Sequence, residues 1–408
     1  MRRVVVTGAG GISALGDSWE IIERGLRAGR NAVRYMTEWD RYSDLNTRLA
    51  APCDAFHAPP EWTRKQMRSL GRVSQLAVRA SQLALANARL DDLEFLRGGS
   101  VGVACGSCVG STPDVADFAR MLIDCDGSHV NANTYIRMMP HTAAANVSIF
   151  LGLTGRVIPT SSACTSGSQG IGFAFESIRG GAQDVMIAGG AEELSPTQAK
   201  AFDLLYAASR RNDDPKSAPR PYDRDRDGLV VGEGAAMLVL EEYEHARQRG
   251  ATILAEIAGF ATNSDGTHVT RPEERTMRAV MERALQSARV HADDIGYVNG
   301  HGTATAQGDV AETRATAAVF GPRIPISSQK SYLGHTLGAC GALEAWFSIE
   351  MMNRGWFAPT INLENVDPDC APLDYVRGDG RELRTDLVMS NNFAFGGVNT
   401  SLILRRVP

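Results

Sequence analysis

Val4-Val5-Val6-Thr7-Gly8-Ala9-Gly10-Gly11-Ile12-Ser13 stands near the start of the chain. Three valines and a threonine read as a buried strand, and the glycines after them read as a turn. The pattern of a short apolar, largely β-branched run recurs at Val101–Cys105, Asp184–Ala188, Met237–Leu240, Ile295–Asn299 and Leu402–Leu404. Between these runs, apolar residues return with helical period over Arg72–Leu90, Gly170–Arg179, Glu274–Ala288 and Val310–Ala318. Strands alternating with helices predict an α/β fold with buried sheets. The units outnumber what one open sheet needs, which predicts two sheets sharing helices between them. A charged helix over Glu242–Gly250 precedes a new strand at Ile253–Gly259, so the expected division is 1–250 and 251–408. The glycines do not make a dinucleotide site, because Ser13 stands where the third glycine of the fingerprint belongs. Ser166-Gly167-Ser168-Gln169-Gly170 likewise lacks the first glycine of a nucleophile elbow.

Lys and Arg number 42 against 47 Asp and Glu, a formal charge of −5 that provides no global field for nucleic acid or anionic lipid. The apolar stretch from Ala143 to Gly155 ends at Arg156, short of the roughly 20 residues a membrane span needs. The run at Val4–Val6 breaks into glycine too soon for a secretory signal, so a cytoplasmic location is expected. Seven cysteines, an odd number scattered along the chain, read as reduced thiols rather than a disulfide framework. Cys105 and Cys108 have CxxC spacing but no second ligand pair, and no metal is expected.

Four segments place reactive side chains among small residues. Thr160–Gly170 carries Cys164 ahead of an apolar helix; a thiol at that helix start has its pKa lowered and amides at hand for an oxyanion. Taken alone, the segment reads equally well as an inert buried cysteine. Val298–Asp309 delivers His301 from a strand into a loop of Gly, Thr and Ala, and Ile326–Gly341 carries Lys330 and His335 around a glycine turn. Ser390–Asn399 sets Phe395 between small residues. Together these supply a thiol, two imidazoles and a cation, a set suited to thioester chemistry.

In order and in detail these segments resemble the β-ketoacyl-[acyl-carrier-protein] synthases I and II, the condensing enzymes of type II fatty acid synthesis. The matching residues are Ser-Ala-Cys164, Gly-His301-Gly-Thr, Lys330 with Gly-His335, and Phe395-Gly-Gly, joined by Tyr222–Gly228 and Gly232-Glu-Gly234. The resemblance runs end to end and implies a thiolase-like fold, five alternating αβαβα layers from two pseudo-duplicated halves, acting as a homodimer or as a heterodimer with a related subunit. It implies that Cys164 accepts an acyl group, that His301 and His335 stabilise the enolate formed on malonyl decarboxylation, and that the amides of Cys164 and Phe395 form an oxyanion hole. Lys330 would organise the histidines through an acidic partner aligned with Glu312, and Phe395 would gate the cysteine. Thr270, Thr303, Thr305 and Phe393 would line the substrate channel, and Val109 the acyl pocket, with Tyr135, Met138 and Met139 reaching a partner subunit. Arg64, Lys65, Arg68, Arg210 and Arg211 match carrier-docking positions. No cofactor is implied beyond the phosphopantetheine arm of the carrier.

Asn392, Ala394 and Val398 replace Ser, Gly and Thr of the usual gating loop, and alanine resists the positive φ that glycine before the gate allows. The expected function is therefore a synthase of fatty acid synthesis or, as that departure raises, of a specialised pathway extending polyene or polyketide chains. A non-catalytic chain-length subunit is the rival from another class, but such chains lack the nucleophile that Cys164 supplies. A thioesterase that stops at hydrolysis is a second rival, and it needs no malonate. A biosynthetic thiolase would carry a second cysteine as base, which the Gly-Gly-Val loop lacks.

Overall fold

The computed structural model describes residues 1–90 and 92–407. Strand β1 spans Val4–Ser13 and runs straight through the glycines expected to turn. Helix α1, Arg72–Ala88, explains why. A Cβ on Gly8 would fall 2.3 Å from the Ala84 carbonyl oxygen, and one on Gly10 would fall 2.6 Å from the Ala84 nitrogen. The glycines let helix and strand backbones touch; they do not break the strand.

Further strands are β2 (Val101–Gly106), β3 (Val157–Thr160), β4 (Val185–Glu192) and β5 (Gly234–Glu242). They are followed by β6 (Ala255–Ser264), β7 (Tyr297–Asn299), β8 (Pro325–Ser327), β9 (Leu387–Phe393) and β10 (Val398–Arg405). The first set is ordered β1-β5-β4-β2-β3 and the second β6-β10-β9-β7-β8, with the short strand Asp374–Tyr375 beyond β8. The two orders are the same when each set is counted from its own first strand. The pairing senses match as well: β2–β3 and β2–β4 are parallel like β7–β8 and β7–β9, and the other pairs within each set of five are antiparallel; Asp374–Tyr375 adds in parallel to β8. Among the described residues the strand pairs Val5–Glu256 and Val6–Ala255 join the sets, so two repeats meet edge to edge.

Helices α2 (Ser166–Arg179) and α5 (Cys340–Arg354) pack against each other and against strands of both sets. They form the middle layer. Helix α1 covers the first sheet from outside, and α3 (Glu274–Ala288) with α4 (Ala306–Phe320) covers the second. The result is αβαβα. Both sheets are buried on both faces, which is why the strands read as continuous apolar runs. On β5, Ala236, Leu238 and Leu240 face the middle layer while Met237 and Val239 face α1. None of the helices is long and apolar enough to cross a membrane among the described residues.

The repeat positions the chemistry. β3 leads through a 3-10 turn, Ala163–Thr165, into α2; β8 leads through Lys330 and His335 to a second 3-10 turn, Leu337–Ala339, and into α5. β7 ends in the His301 loop. Reactive residues therefore collect at the carboxyl ends of parallel strands from both repeats, where ligands bind in such sheets.

Candidate active site

Ala163 adopts φ +51°, a left-handed conformation costly for alanine, and this turns Cys164 out of the strand and onto the first turn of the helix. Hydrogen bonds hold the bend: Ser162 N donates to Ser166 Oγ at 2.9 Å, and Thr160 Oγ1 donates to the Ser166 carbonyl at 2.8 Å. The Cys164 sulfur accepts from the backbone amides of Phe395 and of Cys164 itself, and it lies 2.9 Å from His335 Nε2. Here the expected thiolate gives way to a different balance. Burial pushes the thiol up to about 11 and outweighs Lys330 and the two amides, which pull it down. At neutral pH the sulfur is protonated, so attack on a substrate must be coupled to loss of that proton. Iodoacetamide labelling of Cys164, followed by peptide mass spectrometry, is expected to rise about tenfold per pH unit from neutral to about pH 10. A plateau already reached by about pH 8 would contradict this balance.

His301 sits in a loop whose backbone is fastened by a carboxylate. His301 N and Gly302 N donate to Glu312 at 2.5 and 2.7 Å. Its ring Nδ1 faces the Lys330 ammonium at 3.1 Å and Asn392 Nδ2 at 3.4 Å, while Nδ1 of His335 accepts from Leu337 N at 3.3 Å. With Nδ1 an acceptor in both rings, the proton of each neutral imidazole is placed on Nε2. Burial, followed by the Lys330 charge, drives both rings well below the ordinary histidine range, so both are neutral. The rings lie 5.2 Å apart, nearly perpendicular at 87°. The site thus presents two uncharged N–H donors beside a sulfur.

Cys164, His301 and His335 bring ligand atoms within 4.8 Å of one another, and so do His301, Cys340 and Glu344. Neither set suits a metal. A ligating histidine needs its Nε2 lone pair free and its other nitrogen donating to an acceptor, the reverse of what Leu337 and Lys330 impose. The second set is already bridged by the Lys330 ammonium, which reaches both His301 and Glu344.

Lys330 corrects the expected pairing. Its ammonium donates to Glu344 Oε1 at 2.5 Å, not to Glu312, whose oxygens are engaged with the His301 loop backbone. Burial pulls the lysine down, but Glu344 more than offsets it and keeps the ammonium charged. Asn392 Nδ2 donates to the other Glu344 oxygen at 2.7 Å, tying β9 to the same ion pair. Glu344 and Asn392 were not among the residues expected at the site. A signal for Glu344 was present: it is the sole charge in the apolar run Cys340–Ile349.

Residues 1–246 match the family described as beta-ketoacyl synthase, N-terminal domain, and residues 254–364 its C-terminal domain. The chain is a member of the β-ketoacyl synthase family. It is 38% identical over 411 residues to the 3-oxoacyl-[acyl-carrier-protein] synthase 2 of Synechocystis sp., covering 99% of this chain and 98% of that one. The crystal structure of a beta-ketoacyl synthase from Burkholderia phymatum matches with TM-score 0.99 at 60% identity, each chain covered in full. A type II polyketide ketosynthase solved with its acyl-carrier protein and a hexaketide matches with TM-score 0.87 at 29% identity, again over both whole chains. The synthase is therefore a thiolase-like condensing enzyme, an acyltransferase of fatty acid or polyketide synthesis.

A cavity of about 540 Å³ reaches from solvent to the sulfur of the synthase. Thr270, Thr303, Thr305, Phe393 and Phe395 line it together with Cys164, His301 and His335. Thr303 and Thr305 bond each other through their hydroxyls at 2.9 Å, and the Phe393 ring stands 6.1 Å from that of His301. Phe395 packs on Phe202 with centroids 5.4 Å apart, and its amide faces the sulfur. Ala394 is not strained in this conformation: positive φ falls on Gly396 and Gly397 instead, while Ala394 N donates to the Val398 carbonyl at 2.8 Å. The structure does not bring Val109 to this cavity; it lies on the half-buried loop after β2.

The basic residues divide. Arg64, Lys65 and Arg68 are exposed on and beside a short helix away from the cavity lining. Arg210 stacks over Tyr206 at the cavity mouth and pairs with Asp203, while Arg211 lies 3.5 Å from Asp227. The second pair of cations is thus already partly compensated within the chain.

Proposed function

We propose that Cys164 takes an acyl group from the phosphopantetheine thioester of an acyl carrier protein and extends it by two carbons from malonyl-carrier. The observation that carries this is a buried thiol 2.9 Å from Nε2 of His335, with a second neutral imidazole, His301, 5.2 Å from the His335 ring. In the first half-reaction the sulfur attacks the thioester carbonyl, and its proton passes to the departing carrier sulfur. The oxyanion is received by the amides of Cys164 and Phe395, and the carrier thiol leaves. In the second, the malonyl carbon–carbon bond breaks, carbon dioxide departs, and the electron pair moves onto the thioester oxygen held by His301 and His335. The enolate carbon then attacks the acyl-cysteine, and collapse returns the sulfur and frees a 3-oxoacyl-carrier. No general base for carbon is needed; donors aimed at developing negative charge are, each worth roughly 2.7–4 kcal/mol. Lys330 acts through His301: it fixes the ring nitrogen that must accept, and so the one that must donate.

Thr270, Thr303 and Thr305 offer hydroxyls to the amides of the pantetheine arm, and the exposed Arg64, Lys65 and Arg68, with Arg210 and Arg211 at the mouth, suit an acidic carrier. We assign Val109 to the acyl pocket. That pocket is completed in a homodimer, supported by the unpaired outer edge of β3, on which Val157 is exposed, and by exposed Ile149 on the helix Thr142–Leu151 packed against it. A heterodimer would appear as dependence of sedimentation and activity on a second chain. Free cysteines, with no disulfide among them, fit the cytoplasm. Product analysis with a panel of acyl-carriers plus malonyl-carrier tests the whole reading; release of free acid without malonate dependence would overturn it. Val109→Gly is expected to move turnover toward different chain lengths, and an unchanged primer profile would remove Val109 from the pocket.

A further inference from the structure

We propose that Glu192 is a positioning residue for acyl-chain selection: together with Glu193 it clamps the loop Ser107–Thr112 and so fixes the wall that an acyl group on Cys164 meets. The proposal rests on Val109 belonging to that wall. Glu192, the last residue of β4, is fully buried and Glu193 follows it, and neither has a cationic partner among the described residues. Their compensation comes from hydrogen bonds, nearly all from that one loop. Glu192 Oε1 accepts from Ser107 Oγ at 3.0 Å and Val109 N at 3.4 Å. Oε2 accepts from Cys108 N at 2.7 Å and from Gly338 N at 3.1 Å. Glu193 Oε1 takes both the amide and the hydroxyl of Thr112, each at 2.7 Å, and its Oε2 is buried without a partner.

Burying adjacent carboxylates without a cation is costly, and apolar residues would pack the end of a strand more cheaply. What the carboxylates do that apolar residues cannot is hold a loop by its backbone. Cys108 packs in the apolar cluster that contains Cys164, Phe202, Leu337 and Phe395. The Gly338 bond links the loop to the catalytic side, since Gly338 follows His335 by three residues. A Cβ at Gly338 would lie 2.7 Å from Glu192 Oε2 and 2.9 Å from Ser107 Cα, so the two loops meet at the carboxylate itself. Burial pushes Glu192 up to about 7, against hydrogen bonds from Cys108, Ser107 and Gly338 that favour its charge.

Glu192→Gln separates the contacts. Its amide nitrogen can donate to Ser107 Oγ but not to Val109 N–H, so Val109 loses its acceptor while Cys108 and Gly338 keep theirs. Acylation of Cys164 is followed by intact mass spectrometry with saturated acyl-carriers of graded length. The ratio of rates between the best and the most disfavoured length is expected to fall about tenfold in Glu192→Gln. Should that variant fail to fold, Ser107→Ala removes one donor from the same oxygen and is expected to shift the ratio in the same direction by less. An equal fall at every length, with the profile kept, overturns the clamp as a selector. Val109→Gly moving the profile while the Glu192 and Ser107 variants do not would remove the clamp and leave the wall. A wild-type enzyme whose Cys164 is acylated equally at all lengths removes both, and one that takes no acyl group at all overturns the proposed function.

Discussion

Cys164→Ala is expected to abolish condensation, a loss on the order of at least 10⁴-fold, and Cys164→Gln to abolish it while malonyl decarboxylation continues at or above the wild-type rate. The two substitutions divide the site along its geometry. Condensation needs a covalent acyl-sulfur bond, for which neither side chain can substitute. Decarboxylation needs only the malonyl thioester oxygen held by His301 and His335, whose Nδ1 partners, Lys330 and Leu337, are untouched by either change. Glutamine adds an amide carbonyl where the acyl carbonyl would stand, within reach of the Phe395 amide that faces the sulfur. Labelled carbon dioxide release from malonyl-carrier, measured beside product formation, separates the steps. If Cys164→Gln loses both activities in proportion, the histidines are not an independent decarboxylation site.

The main elements were legible where local patterning and tertiary need agree. The period over Arg72–Leu90 and Glu274–Ala288 yields helices Arg72–Ala88 and Glu274–Ala288. The glycines after Val6 misled because the reason for them is a helix backbone pressed against the strand, which no local window contains. β3 and β8 carry a proline each and only four and three residues, so neither stood out as a strand. Yet these two deliver Cys164, Lys330 and His335. The reactive residues were legible for the opposite reason: a thiol, imidazoles and an amine among Gly, Ala, Ser and Thr have no packing role to explain them. Their buried partners were not. Glu344 lies on the helix after Lys330, and Glu192 at the end of a strand, and each finds its partner only through the fold. The resemblance pointed to Glu312 because its position is right for the site, but its oxygens are taken by the backbone of the His301 loop.

Lys330→Met is expected to lose decarboxylation and condensation by 10²-fold or more and also to destabilise the protein, and these are two effects with different cures. Lys330 and Glu344 are almost fully buried, with side chains 2% and 4% exposed. Removing the lysine leaves an uncompensated carboxylate in the core, at a cost of about 3–5 kcal/mol. It also removes the nearer and charged donor on His301 Nδ1, leaving only Asn392 Nδ2 at 3.4 Å, so the other tautomer, which presents a lone pair where a donor is needed, becomes accessible; one lost oxyanion donor costs about 10²–10³ in rate. The double variant Lys330→Met, Glu344→Gln removes the stranded charge and keeps an acceptor oxygen for Asn392. It is expected to recover most of the thermal stability and none of the decarboxylation rate. A purely structural lysine predicts the opposite, with stability and rate returning together. Differential scanning calorimetry paired with carbon dioxide release distinguishes them, because the charge balance of the pair and the tautomer of His301 depend on the same ammonium through separate bonds of 2.5 and 3.1 Å.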